Sequence, residues 1–161
     1  MERYLSDDLR RMTPERVGLG ELKPDGGVVP LLLTVGQGIA QGVGTTIHAP
    51  SAADVLTRIL TYAEFGTHRL SEQTVMKTVA ASVDLVVHVS HLGGRRVISS
   101  VHEYADFRDG TVTSAELWRF DPALGRAVRT DLEITEQLTA KLTAAGLDPR
   151  ILDRDPSQAR R

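Results

Sequence analysis

The sequence predicts an α/β fold, with parallel strands and helices in its first half and antiparallel hairpin strands in its second. Three observations carry that expectation. Short strand-like segments alternate with helical spacing of apolar residues as far as about Ala81. Beyond that point, strand candidates follow one another through the turn signals Gly93-Gly94 and Arg108-Asp109-Gly110. No internal repeat or low-complexity linker interrupts the order.

The first half reads as follows. Ser6 caps a helix running to Met12, Asp7 and Asp8 suit the positive end of its dipole, and Pro14 stops it. Arg16 to Glu21 is a short strand tipped by a glutamate, and Lys23-Pro24-Asp25-Gly26-Gly27 is a turn. Val28 to Ile39 is a helix in which Pro30 is tolerated because it sits in the first turn. Gly36, Gly38 and Gly42 weaken its end and imply a loop. Gly42 to Ala49 reads as a buried strand with a polar tip, Thr45 to His48 forming the strand itself. Pro50-Ser51 opens a helix from Ala52 to about Phe65, with Val55, Ile59, Leu60 and Ala63 at helical spacing and Asp54 in the first turn. Gly66 breaks the chain. Ser71 with Glu72 then starts a helix to about Ala81, and Val75, Thr78, Val79 and Ser82 share a face.

In the second half, Asp84 to Val89 is nearly continuous in apolar residues, so a strand buried on both faces is expected. Arg95 to Phe107 and Thr111 to Phe120 are the arms of a hairpin, Asp121 to Gly125 is a turn, and Arg126 to Thr130 is a short strand. Thr135 to Ala145 is a helix stopped by Gly146, with Asp148-Pro149 beyond it and a frayed tail from Arg154. Residues 1–130 form the body of one domain, and residues 131–161 are its terminal helix and tail.

Composition narrows the function. A chain of 161 residues holds a sizeable core, and with aromatics at 4% that core is built from Val, Leu, Ile and Ala. A net charge of -2 gives no electrostatic case for a nucleic-acid partner. The absence of cysteine excludes thiol chemistry and Cys-based zinc sites. No apolar run approaches the roughly 18 residues of a membrane span, and the polar, acidic N-terminus is not a signal peptide. A cytoplasmic protein without direct membrane insertion is expected.

Two short strands ending in Glu21 and His48 point to a site at the carboxyl edge of an α/β sheet. The residues alone leave other readings open. Glu21 suits a solvated loop, and His48 suits a structural histidine at a sheet edge. No metal site is expected: His88 and His91 fall on opposite faces of a strand, and no His-x-x-x-His pair occurs among the five histidines. The glycines from Gly36 to Gly44 precede no lysine and lead into a strand, so they read as a flexible loop and not as a phosphate cradle. Arg95-Arg96 reads either as a solvated hairpin tip or as a contact with a neighbouring subunit.

Several segments resemble one family in order and spacing. They are Leu9–Arg10–Arg11–Met12–Thr13–Pro14–Glu15–Arg16–Val17, then Val17–Gly18–Leu19–Gly20–Glu21–Leu22–Lys23, then Thr46–Ile47–His48–Ala49 followed by Asp54–Val55–Leu56–Thr57–Arg58–Ile59. Ala80 to Val87 and Arg95–Arg96–Val97 continue the likeness to about Phe120, with an echo at Gly146–Leu147–Asp148–Pro149. Together they resemble the type II/IV secretion ATPases, especially the Tad/CpaF-like pilus-assembly branch. The resemblance implies the C-terminal half of a RecA-like P-loop NTPase motor, working with ATP and Mg2+ in a hexameric ring. It makes Glu21 the Walker B acid acting on the attacking water and His48 the residue of the His box that senses the γ-phosphate. Gly20 and Thr46 stand beside them as nucleotide-binding positions. The implied partners are further copies or a complementary ATPase subunit, and the inner-membrane secretion or pilus platform. The implied location is cytoplasmic or peripheral at the inner face of the membrane.

The departures are as specific as the likeness. A Walker A loop reads Gly-x-x-x-x-Gly-Lys-Ser/Thr, and none of Lys23, Lys77 and Lys141 follows a glycine. Ile39–Ala40–Gln41–Gly42–Val43 stands where the family carries Gly-His-x-Gly-Ser, and Lys23-Pro24 replaces Arg-Gly. A truncated or split motor that does not bind ATP tightly alone is therefore expected, with apolar surface near Val17, Leu19 and Ile47 exposed or paired by another chain. The alternative is a non-catalytic module docking onto a full-length ATPase subunit or a complementary N-terminal fragment. The order of the motifs argues against a generic α/β binding protein with an accidental likeness.

Overall fold

The computed structural model describes residues 8–12, 14–40, 42–66 and 69–153. The Ser6 cap with Asp7, Gln41, His68 and the tail from Arg154 lie outside the described residues. In chain order the elements are α1 (Leu9–Met12), β1 (Arg16–Gly18), α2 (Val28–Gly36), β2 (Gly42–Gly44), α3 (Asp54–Ala63) and α4 (Glu72–Ser82). There follow β3 (Leu85–Leu92), β4 (Arg95–Arg108), β5 (Thr111–Asp121), β6 (Arg126–Arg129), α5 (Glu136–Ala144) and a 3-10 turn at Pro149–Leu152. The chain divides into two compact units. One holds the described residues up to Val83 together with Asp106–Val112, and the other holds Asp84–Ala105 and the described residues from Thr113 onward.

The first unit is a three-helix core beside a two-stranded parallel sheet. Its centre is α2, which is buried at Val28, Val29, Pro30, Leu31, Leu32 and Thr34. So apolar a helix is stable in water only when enclosed on nearly all sides, and α3 and α4 both pack on it. Each fully buried Val or Leu contributes roughly 1.5–3 kcal/mol to that packing. The buried Thr34 hydroxyl donates to the Pro30 carbonyl at 2.8 Å, so this group is not stranded. Helix α3 presents Val55, Ile59 and Ala63, spaced by four, while α4 presents Val75, Val79 and Ala80. Ser71 caps α4 by accepting from the Thr74 amide at 3.2 Å. Between α4 and α2, the Ser82 hydroxyl donates to the Leu32 carbonyl at 3.4 Å.

In the parallel sheet Arg16 pairs with Gly42, Val17 with Val43 and Gly18 with Gly44. Here several expectations are corrected, the first being that β1 ends at Gly18 and not at Glu21. The regular ladder of β2 covers Gly42–Gly44, one segment earlier than the expected Thr45–His48. Those later residues are also not buried: Thr45, Thr46 and His48 are exposed. The glycines read as a loop pair with β1 without being required there, since a Cβ at Gly42 would meet only the Arg16 side chain at 4.0 Å and one at Gly44 nothing within 4 Å. Val17, expected to be exposed or paired by another chain, is buried, and Leu19 and Ile47 are half-buried.

The second unit is built on a four-stranded meander in the order β3-β4-β5-β6. The β3–β4 and β5–β6 pairs are antiparallel. Gly93 and Gly94 have φ of 55° and 78°, and Asp109 and Gly110 have φ of 50° and 82°. These are left-handed pairs whose twist matches that of the flanking strands. Leu117, Tyr104 and Leu138 are buried, and so is the carboxylate of Glu103. Helix α5 ends at Gly146, whose φ of 75° lets the Leu147 amide reach back to the Leu142 carbonyl at 2.9 Å.

The expectation of a strand buried on both faces at Asp84 to Val89 is overturned. β3 is an edge strand on which Leu85, Val87 and Val89 are 37%, 52% and 54% exposed. An apolar run has the same composition whether its second face is covered or bare, and only what packs above and below the sheet decides which it is.

Candidate functional site

The site grows from the carboxyl ends of β1 and β2. Because the strands are parallel, both chains leave the sheet on the same side. Past the ladder the Leu19 amide donates to the Gly44 carbonyl at 2.9 Å, and the Leu22 amide donates to the Thr46 carbonyl at 2.7 Å. The Thr46 hydroxyl donates to the Gly20 carbonyl at 2.6 Å. These bonds carry the two exits side by side for several residues beyond the sheet. They hold Gly20–Glu21 against Thr46–His48.

Two side chains meet the Glu21 carboxylate at the end of this brace. His48 Nε2 lies 2.8 Å from Glu21 Oε1, and Lys23 Nζ lies 3.4 Å from Glu21 Oε2. The Glu21 side chain is 30% exposed, whereas those of His48 and Lys23 are 92% and 63% exposed. Pairs this open to water add little to stability, since solvent screens them and the side chains lose freedom. The arrangement thus has a firm backbone and a loosely held polar tip. Chemically it offers a carboxylate that can accept a proton or orient a water, and N–H donors that can face a developing negative charge.

All four site residues expected from the sequence, Glu21, His48, Thr46 and Gly20, are brought together here, in two pairs. Lys23 joins them. In the sequence it stands out only as a departure after the glutamate, although its position two residues from Glu21 in an extended segment is the signal that places it nearby. Gly20 is not required by the backbone: it has no positive φ, and a Cβ there would meet nothing within 4 Å. Among the described residues no group of three His, Asp or Glu side chains is placed to hold a metal ion. No described helix is long and apolar enough to cross a membrane.

The remaining described histidines are placed elsewhere, in the meander. His88 Nδ1 is 2.6 Å from the Ser99 hydroxyl, and His102 Nε2 is 3.9 Å from Glu116 Oε1. His88 is half-buried and His91 is exposed, in keeping with opposite faces of β3.

No family model matches the chain. Over 103 residues, 63% of its length, the chain is 35% identical to the conjugal transfer protein TrbB of Rhizobium radiobacter. The chain spans about 30% of the length of that curated relative.

Proposed function

We propose that this chain supplies the water-activating and γ-phosphate-facing edge of an ATP-hydrolysing component of a type II/IV secretion, conjugal-transfer or pilus-assembly machine. The observation that carries this reading is the Glu21–His48 contact of 2.8 Å at the ends of two adjacent parallel strands. Glu21 would orient the attacking water and take up its proton, and His48 would donate to the terminal phosphate as charge develops there. Thr46 and Gly20 would keep the two strand ends in register, and the open space beside Gly20 would let a phosphate approach the backbone.

The residues fit the terminal-phosphate end of a nucleotide and not the rest of it. The α- and β-phosphates call for a Gly-x-x-x-x-Gly-Lys-Ser/Thr loop that the 161 residues do not contain. That loop and the Mg2+ ligands would come from a complementary ATPase segment or subunit of the same ring, completing a RecA-like core. The similarity to a conjugal transfer protein supports the machine, and the residues quoted above support the Tad/CpaF-like branch. The same likeness supports a cytoplasmic place against the membrane platform.

The test is ATP turnover by the chain alone and after mixing with a polypeptide that carries the phosphate loop. Turnover is expected only in the mixture, and Glu21→Gln should lower it by about 10²-fold or more. The missing phosphate loop also favours a second reading, a non-catalytic module docked onto a full-length subunit. In that case the mixture binds but Glu21→Gln changes nothing.

A further inference from the structure

We propose that the end of the meander carrying the 93–94 and 122–125 turns docks on the surface of an anionic lipid bilayer. The inference is independent of the nucleotide reading. Successive turns of a meander alternate between the two ends of its sheet, so the turn after β3 and the turn after β5 share one end. β4 has 14 residues and β5 has 11, followed by a turn of its own, so the two apices stand about level. They lie two strand spacings apart, about 10 Å. Each apex carries the same short pattern: an exposed leucine, glycine of positive φ, then arginine. In the first, Leu92 is 45% exposed and precedes Gly93, Gly94, Arg95 and Arg96. In the second, Leu124 is 57% exposed and precedes Gly125, whose φ is 65°, and Arg126. The β3–β4 ladder shifts register between His88 and Val89, and such an irregularity bends and twists its strands. Residues 89–98 are thereby set off as a tip, on which Val89, His91, Leu92, Arg95, Arg96 and Ile98 are exposed.

Charge selects the occupant. Elsewhere in this unit Arg119, Arg129, Lys141 and Arg150 lie against Glu116, Asp153, Asp84 and Asp148. Arg95 and Arg96 have no carboxylate against them among the described residues. Residues 85–102 contain no Asp or Glu, in a chain that has 21. At the second apex Asp121 is turned to its own backbone, where Oδ1 accepts from the Ala123 amide at 2.8 Å and the Leu124 amide at 3.3 Å. Two neighbouring guanidinium groups without a counter-charge call for an anion. An anion alone does not account for the leucines. Leucines at the apices, with arginines just behind them, match a bilayer surface, which is anionic at its headgroups and apolar a few ångströms beneath. An acidic polypeptide would be held by a groove or a strand edge, and neither calls for apolar side chains on two separate turns.

The test is co-sedimentation of the full chain with vesicles of phosphatidylcholine alone and of phosphatidylcholine with phosphatidylglycerol. Binding is expected to the anionic vesicles only, and should fall as salt rises. Replacing both arginines, Arg95→Ala with Arg96→Ala, should weaken it roughly 10- to 30-fold. Leu92→Ser and Leu124→Ser should each weaken it severalfold, with circular dichroism unchanged. Arg69→Ala removes an exposed charge from the first unit and should leave binding as it was. Absence of binding to the anionic vesicles overturns the proposal. So does equal binding to the neutral ones, or an equal loss in Arg69→Ala. Binding to soluble poly-glutamate that needs the arginines and ignores the leucines assigns this end to an acidic protein, and overturns the bilayer reading too. Should a leucine variant fail to fold, the arginine pair, read on vesicles and on poly-glutamate, decides the matter.

Discussion

At the scale of single residues, Glu21 and His48 should separate stability from function. Their side chains are partly or largely in water, so Glu21→Gln and His48→Ala should each shift folding free energy by no more than about 0.5 kcal/mol in urea denaturation. Gly20→Ala is the sharper probe. A Cβ there meets nothing, so the variant should unfold like the parent chain. If a phosphate approaches this backbone, the same variant should weaken nucleotide binding in the complemented mixture. His102 makes a prediction about pH. Burial holds its imidazole below the ordinary value of 6.5, helped by His88 and Arg119 and opposed by the Glu116 carboxylate. The unfolded chain therefore takes up this proton first as pH falls below about 6.5. Stability present above that value is lost on the way down through the folded-state value. The melting temperature should drop between pH 7 and 5, and His102→Gln should flatten that part of the profile.

At the scale of elements, the joint between β4 and α5 is the most exacting. Glu103 is 1% exposed, and its carboxylate accepts from the Thr135 amide at 3.1 Å and from the Thr135 hydroxyl. Thr135 in turn caps α5 by accepting from the Leu138 amide at 3.2 Å. One buried acid thus satisfies an orphan donor and meets the positive end of the helix dipole. Glu103→Ala should cost about 1–3 kcal/mol in chemical denaturation, and Glu103→Gln less, because one acceptor oxygen survives. None of this was legible in the sequence. The partners stand 32 residues apart, and a glutamate inside a strand has no local signature of burial. The hairpins were legible because Gly94, Asp109 and Gly110 announce their backbone angles by residue type. The helices were legible because Val55, Ile59 and Ala63 repeat at the helical period. β3 was misread because its valines report hydrophobicity and not which neighbour lies beyond them. The strands end at Gly18 and Gly44, short of the expected Glu21 and His48, and the β2 ladder falls on glycines that read as loop.

At the scale of the whole chain, the two units differ in what they are made of. The first is mostly helix around α2, and the second is mostly the meander. The candidate site belongs wholly to the first, and the bare apolar edge belongs wholly to the second. The chain's single tryptophan, Trp118, lies in β5 opposite Arg129, inside the second unit. That position turns an ordinary ladder pair into an optical label. Tryptophan emission reports on the meander alone, while far-ultraviolet ellipticity is dominated by the helices, most of them in the other unit. Recorded on the same sample during heating, the two signals should give two midpoints if the units melt separately and one if they melt together. Because only one indole emits, that distinction requires no dye, no tag and no mutation.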